Sequence, residues 1–367
     1  MDCAILIADD EGRPARCQQM QGVVFQGNRQ IDLLDFPDPT PGPDDVVLEI
    51  KASGMCGSDL HFYRAPDGAR SLGIIGDGSP TIGGHEPCGV VVARGLNVAD
   101  GVAPLGARVM NHHYSGCGAC EHCRVGWQQL CAEGFRVYGA TAHGGHAKYL
   151  MAPADTMVPL PDALSFSAGA AISCGTGTAF NALVRMGLTG RDTLAVYGQG
   201  PVGTSAVLFA RHLGARVIAV DLSPERLAIA QSFGAEELIN SSEVDPVAAI
   251  AELTEGRGAH MTLDCTGAPE ARAQAVRSTR VWGTTCLVGE GGNVELEVSK
   301  DILRKQLTIM GSWTFSSIGQ AQCANYVAER GIDVDQLFTH RFRLEQAVEA
   351  YELFDQQTSG KGVFEFA

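Results

Sequence analysis

The sequence is short of positive charge. Lys and Arg number 27 against 42 Asp and Glu, a formal net charge of −15. Phosphate backbones and anionic bilayers are held by a surplus of Lys and Arg, so nucleic acid and membrane are not expected partners. Long apolar runs are missing too: none approaches the ~18 residues of a membrane helix. The patch AILIA near the N-terminus follows an acidic residue and precedes DDE, whereas a secretory leader needs a basic start and a longer apolar core. Residues 1–19 therefore read as an N-terminal extension, with MQGVVFQGN as the first strand. What is present is apolar content of 45% over 367 residues, enough for two domains with real cores. A soluble cytoplasmic protein is expected.

Twelve cysteines remain to be explained. In a reducing compartment, clustered cysteines point to metal before disulfides. Residues 116–131 read GCGACEHCRVGWQQLC, a C-x2-C-x2-C-x7-C spacing. Zinc takes four thiolates tetrahedrally, and Gly116 and Gly118 permit the tight turns. Cys117, Cys120, Cys123 and Cys131 would form a closed, structural site that pins a loop. Three further stretches, SGMCGSDLHFY, TIGGHEPCGV and AISCGTGT, set Cys56, His85 and Cys174 beside glycines. Taken singly, each also reads as an ordinary core residue. Together, two thiolates and one imidazole would leave a fourth zinc position open, as in the catalytic site of alcohol dehydrogenase. Cys88, Cys265, Cys286 and Cys323 read as core cysteines.

From residue 193 the chain runs TLAVYGQGPVGTSAVLFARHLGARVIAVD. An apolar strand leads into a G-x-G-x-x-G turn at Gly198, Gly200 and Gly203. A helix opening at Pro201 and Val202 follows, stopped at Gly214, and a second strand ends at Asp221. This order is that of a dinucleotide-binding unit. The glycines let backbone approach a pyrophosphate at a helix N-terminus. Asp221 would accept from ribose hydroxyls and repel a 2′-phosphate, favouring NAD over NADP, although Arg226 nearby could serve such a phosphate. Later strand-to-loop transitions make Cys265, Thr266, Val288 and Gly289 candidate cofactor contacts, since open parallel sheets bind ligands at strand carboxyl ends.

CGSDLH, GGHEPCGVV, the four-cysteine lobe, SCGTGTAF and GQGPVG, in that order, resemble the zinc-dependent medium-chain dehydrogenases of the alcohol dehydrogenase superfamily. The likeness runs from about residue 20 to the C-terminus. It implies an α/β protein with a GroES-like β-rich catalytic domain in two pieces, 20–170 and 310–367. Between them, 171–309 would form a Rossmann domain with a doubly wound parallel sheet. It implies two zinc ions per chain, the catalytic one on Cys56, His85 and Cys174. Glu86 would be a conditional ligand, Asp59 the carboxylate orienting the histidine, and Ser58 with His61 the proton relay. Zinc lowers the pKa of bound water to about 7. The same help to an alcohol is about 12 kcal/mol at most, beyond the ~10²–10⁴ in rate that general acid–base groups supply.

The implied reaction is reversible oxidation of a secondary alcohol to a ketone with NAD. CGSDLHFY is similar to the sorbitol and threonine dehydrogenase branches, so a polyol, sugar-alcohol or threonine-type dehydrogenase is the alternative. Cys174 departs from those branches towards the alcohol dehydrogenases. A reading of another class, a zinc-free reductase or structural relative, would lack the ligand set. Phe62, Tyr63 and Trp313 are candidate pocket walls. Lys361 reads as a solvated turn lysine, and a homodimer or homotetramer is implied by the family alone.

Overall fold

The structure is a computed structural model that describes residues 19–66, 79–358 and 360–367. The N-terminal extension expected over 1–19 lies, apart from Gln19, outside the described residues. Gln19–Gly27 forms the expected first strand and turns back through Gln30–Pro37.

Alternation of strands and helices after residue 193 produces a six-stranded sheet in which every pairing is parallel. Its spatial order is Glu237–Asn240, Arg216–Asp221, Thr193–Tyr197, Ala259–Asp264, Thr279–Leu287, Thr308–Gly311. By order along the chain this is 3-2-1-4-5-6, the doubly wound arrangement of a Rossmann domain. Thr193–Tyr197 is buried along its whole length, as a central parallel strand covered on both faces must be. The expected boundary at 309 falls within the sixth strand. Beyond it, helix Ser317–Arg330 packs on helix Gly175–Met186.

The second large sheet is mostly antiparallel. Glu86–Arg94 lies between Asp45–Gly54 and Arg108–Asn111, with Met157–Pro159 beyond, and Tyr149–Pro153 adds to Asp45–Gly54. The C-terminal Lys361–Glu365 pairs antiparallel with the end of Asp45–Gly54 and parallel with Phe338–Phe342. This closure brings the last residues of the chain beside the segment that carries Cys56.

One apolar core runs through both sheets. It joins Ala52, Cys88 and Met110 of the antiparallel sheet to Leu194, Val196 and Leu263 of the parallel one, through helices Phe166–Ile172 and Gly175–Met186. Each large aliphatic side chain buried there contributes about 1.5–3 kcal/mol. Cys88, Cys286 and Cys323 are fully buried in it, as core cysteines.

Candidate metal centres and dinucleotide cleft

Four segments converge on the first centre. Asp45–Gly54 delivers Cys56 to the start of helix Gly57–Arg64, where the Cys56 N–H donates to Asp59 Oδ2 at 2.8 Å. His85 precedes strand Glu86–Arg94 and is turned by Gly84, whose φ is +84°, a conformation that favours glycine. Glu86 sits in register with Gly54. A Cβ on Gly54 would lie 2.0 Å from Glu86 Oε2, so that glycine makes room for the carboxylate. Cys174 occupies the break between helices Phe166–Ile172 and Gly175–Met186.

The ligand atoms of Cys56, His85, Glu86 and Cys174 all lie within 4.8 Å of one another, and all four residues are buried. The two sulfurs are 3.8 Å apart. His85 Nδ1 meets Asp59 Oδ1 at 3.0 Å, so Asp59 holds the ring with Nε2 left for a metal. A hydrogen bond from Cys174 holds Cys56 well below the usual thiol range, and the same bond with burial pushes Cys174 well up. Burial pushes His85 down, but Asp59 and Cys56 beside it reverse this and hold it well above its ordinary value. Four donor atoms gathered in a buried pocket, with the imidazole held by Asp59, form a group that could hold a metal ion. The soft S, N, S donor set suits zinc.

Glu86 is tied off on its other side. Lys361 Nζ forms an ion pair with Glu86 Oε2 and donates to the Met55 carbonyl at 2.9 Å. Glu86 Oε1 has no hydrogen-bond partner among the described residues. Burial pushes Glu86 up to about 8 against the pull of Lys361. Lys361 is 2% exposed, which overturns the expected solvated turn lysine. It opens the final strand, and the inward face of that strand, not the turn before it, fixes its surroundings.

The relay residues follow the helix. Ser58 Oγ lies 3.8 Å from Cys56 Sγ, and His61, one turn on, is exposed. The expected pocket walls do not meet. Phe62 stacks on Phe25, and Tyr63 packs with Val23, Met55 and Tyr351. Trp313, 38% exposed, meets Tyr114 and Phe135 edge-on at 5.7 and 6.0 Å. Two groups beside the centre were missed from the sequence. His113 lies edge-on to His85 at 5.1 Å, with Tyr114 4.2 Å further along. The His112-His113-Tyr114 run immediately before the cysteine lobe was the available signal.

The lobe gathers Cys117, Cys120, Cys123 and Cys131 into the second group. Backbone N–H groups of Ala119 and Cys120 donate to Cys117 Sγ at 3.4 and 3.3 Å, and that of Cys117 to Cys131 Sγ at 3.2 Å. Such bonds lower Cys117 and take Cys120 down to about 6, while burial pushes Cys123 up to about 12. Gly116 is obligatory, since a Cβ there would lie 2.6 Å from Cys123 Sγ.

In the parallel sheet, Gly198 turns at φ +86° and Gly203 lets helix Pro201–His212 approach. A Cβ on Gly203 would lie 1.8 Å from the Gly198 carbonyl oxygen, whereas one on Gly200 would meet nothing within 4 Å. Gly200 thus opens on the space a pyrophosphate would fill. Pro201 and Val202 start the helix, whose N–H groups face that space. Asp221 accepts from the Gln199 and Ser223 N–H groups at 2.6 and 2.9 Å. Burial pulls Arg226 below its ordinary value against the opposing charge of Asp221, and its Nε has no partner among the described residues. Cys265, Thr266, Val288 and Gly289 gather at the strand carboxyl ends. Thr266 donates to the Asp264 carboxylate at 2.6 Å, and the Val288 and Gly289 N–H groups donate to the Asp264 carbonyl. Asp264, itself buried and paired with Arg272 at 3.2 Å, is the organiser that sequence reading missed.

A Rossmann sheet with a glycine-lined cradle, facing a buried Cys-His-Cys cluster, defines a metal-using dinucleotide oxidoreductase. Comparison with known proteins agrees. Residues 42–162 match the alcohol dehydrogenase GroES-like domain, and residues 201–329 the zinc-binding dehydrogenase family. The zinc-type alcohol dehydrogenase-like protein YphC of Escherichia coli (strain K12) is 41% identical over 359 residues, 95% of this chain and 99% of its own. Sorbitol dehydrogenase of Bacillus subtilis (strain 168) is 30% identical over 340 residues, 91% of this chain and 93% of its own. The solved structure of alcohol dehydrogenase TADH from Thermus sp. ATN1 superposes with a TM-score of 0.85 at 28% identity, covering 94% of this chain and 99% of its own. The chain belongs to the zinc-dependent medium-chain dehydrogenase family, and is an oxidoreductase acting on alcohols.

Proposed function

We propose that the protein reversibly oxidises a secondary alcohol to a ketone with NAD, using one zinc ion on Cys56, His85 and Cys174 and a second on the four-cysteine lobe. The observation that carries this is the buried Cys56–His85–Cys174 cluster, whose fourth neighbour, Glu86, is held back by Lys361. Three protein donors leave one position for substrate. The zinc-free reductase reading would need this ligand set to be broken, and it is intact. Bound zinc supplies a Lewis acid that lowers the pKa of the substrate hydroxyl. Ser58, next to Cys56, would accept the hydroxyl's proton as it gives up its own, and His61 would carry a proton on to solvent from the exposed face of the same helix. Asp221 supports NAD, because a carboxylate there would repel a 2′-phosphate.

The polar pair His113 and Tyr114 beside the centre supports polyols as a second reading, as does the sorbitol dehydrogenase relative. A domain division at 20–170 with 310–367, and 171–309, accords with this reading, as do cytoplasmic residence and a homo-oligomer. The test is NAD⁺ reduction by the purified protein against simple and cyclic secondary alcohols, sorbitol-like polyols and L-threonine, together with metal analysis. Preference for secondary alcohols with two zinc ions per chain is expected. One ion per chain and no turnover would refute the proposal.

A further inference from the structure

Behind His85 a file of buried polar side chains leads away from the metal cluster. Asp59 accepts from His85 Nδ1 at 3.0 Å and also from the Tyr351 hydroxyl at 3.1 Å. Tyr351 meets His146 Nε2 at 2.7 Å, and His146 Nδ1 meets Ser53 Oγ at 2.8 Å. Ser53, Asp59, His146 and Tyr351 are all 0% exposed. The four come from three separate parts of the antiparallel domain and the C-terminal helix Ala347–Asp355.

Satisfying every atom fixes the direction of each bond. The ionised Asp59 can only accept, so His85 Nδ1–H, Cys56 N–H and Tyr351 O–H all donate to it. The Tyr351 oxygen, its proton committed, must then accept from His146 Nε2–H. His146 Nδ1 is therefore the bare nitrogen, and it accepts from the Ser53 hydroxyl. Burial takes His146 down to about 4, and with that ring neutral and Asp59 charged no second arrangement satisfies all five groups. The chain points one way, towards the carboxylate that orients His85.

The local backbone is shaped around this file. A Cβ on Gly84, immediately before His85, would lie 2.3 Å from His146 Nδ1. Gly84 therefore does two things: it turns the chain to aim His85, and it leaves the space that His146 fills. The His146 N–H also donates to the Gly83 carbonyl at 3.0 Å. A core that needed only apolar packing here would place neither a histidine nor a tyrosine hydroxyl in it.

We propose that Tyr351 and His146, backed by Ser53, are positioning residues for the catalytic metal. They hold Asp59 in one orientation, so that His85 keeps Nδ1–H inward and presents Nε2 to the ion. The inference rests on the proposed metal site at Cys56, His85 and Cys174. It adds that grip on that ion is set two side chains further back.

The test is the release of zinc from the purified holoprotein to a colorimetric chelator, with the visible spectrum of the Co²⁺-substituted protein as a second readout. Tyr351→Phe keeps the ring in the core and removes only the hydroxyl. His146→Leu removes the donor to Tyr351, whereas His146→Gln keeps an N–H close to the position of Nε2. Loss of partners behind a ligand lowers metal affinity ~10–100-fold. The expected result is that one of two ions leaves ~10–100-fold faster from Tyr351→Phe and His146→Leu, with an altered Co²⁺ spectrum. His146→Gln should stay near wild type, and the lobe ion should be released unchanged in all three. Two ions leaving all variants at wild-type rates would overturn the inference alone, as would equal loosening of both, or a His146→Gln protein as leaky as His146→Leu. A wild-type chain with a single ion, retained after Cys56→Ser, would overturn the metal site and this inference with it.

Discussion

Lys361→Met tests the electrostatics of the centre most sharply. Lys361 Nζ serves two buried acceptors, the Glu86 carboxylate and the Met55 carbonyl. Methionine fills similar space and serves neither. The stranded carbonyl costs about 1–3 kcal/mol at any pH. The carboxylate adds a term that depends on pH. In the folded protein Glu86 titrates at about 8, against an ordinary value of 4.5. A raised folded pKa means the folded chain holds the extra proton between those values, so stability falls as pH rises through that window and levels off above it. Removing Lys361 removes the pull that keeps the value as low as 8, and the window extends upward. Wild type and variant should then diverge by a further ~1.4 kcal/mol per pH unit above pH 8. Lys361 itself adds no slope there, because its folded pKa is raised above 10.5. The assay is urea unfolding from pH 6 to 9.5, with chelator in both arms so that loss of metal is shared. Glu86→Gln in the Lys361→Met background should abolish the divergence. Parallel stability curves for wild type and Lys361→Met across pH 8–9.5 would refute the reasoning.

Gly203→Ala places a methyl 1.8 Å from the Gly198 carbonyl oxygen, so the helix must move off its turn. NAD binding measured by calorimetry should be lost while the rest of the fold persists. Cys120→Ser should remove the lobe metal and lower the melting temperature, with metal analysis showing one zinc fewer, because a closed site contributes folding energy outright. Asp221→Ser removes the carboxylate that repels a 2′-phosphate. The ratio of kcat/KM for NAD over NADP should fall at least tenfold, about 1.4 kcal/mol, and an unchanged ratio would place cofactor discrimination elsewhere.

The parts of this protein that sequence exposes are those whose chemistry is written within a few residues. C-x2-C spacing, G-x-G-x-x-G after an apolar strand and Gly-Gly-His-Glu each force a local geometry, and each was found where its motif lay. Phe62 and Tyr63 show how a local reading goes astray. They neighbour Ser58 and His61 in the chain, but helix Gly57–Arg64 sorts them by its 3.6-residue period. Asp59 and Tyr63 turn inward, His61 turns out, Tyr63 packs into the core and Phe62 stacks on Phe25. Periodicity alone could have separated them.

Lys361, Tyr351 and His146 were hidden for a different reason. Their partners are remote: Tyr351 and Asp59 lie 292 residues apart, and Lys361 and Met55 lie 306 apart. A lone lysine after Ser-Gly reads as a turn because solvation is the default for its charge. Only closure of the last strand on the antiparallel sheet, visible as pairing of Val363 with Gly54, carries it inside. The same closure explains why it is tolerated there. Gly54 has no side chain, so the Glu86 carboxylate leans across it to reach the ammonium. A buried ion pair is weak evidence for stability in itself. Placed beside a cysteine–histidine cluster, the pair would keep a fourth donor off a metal bound there and within reach of it.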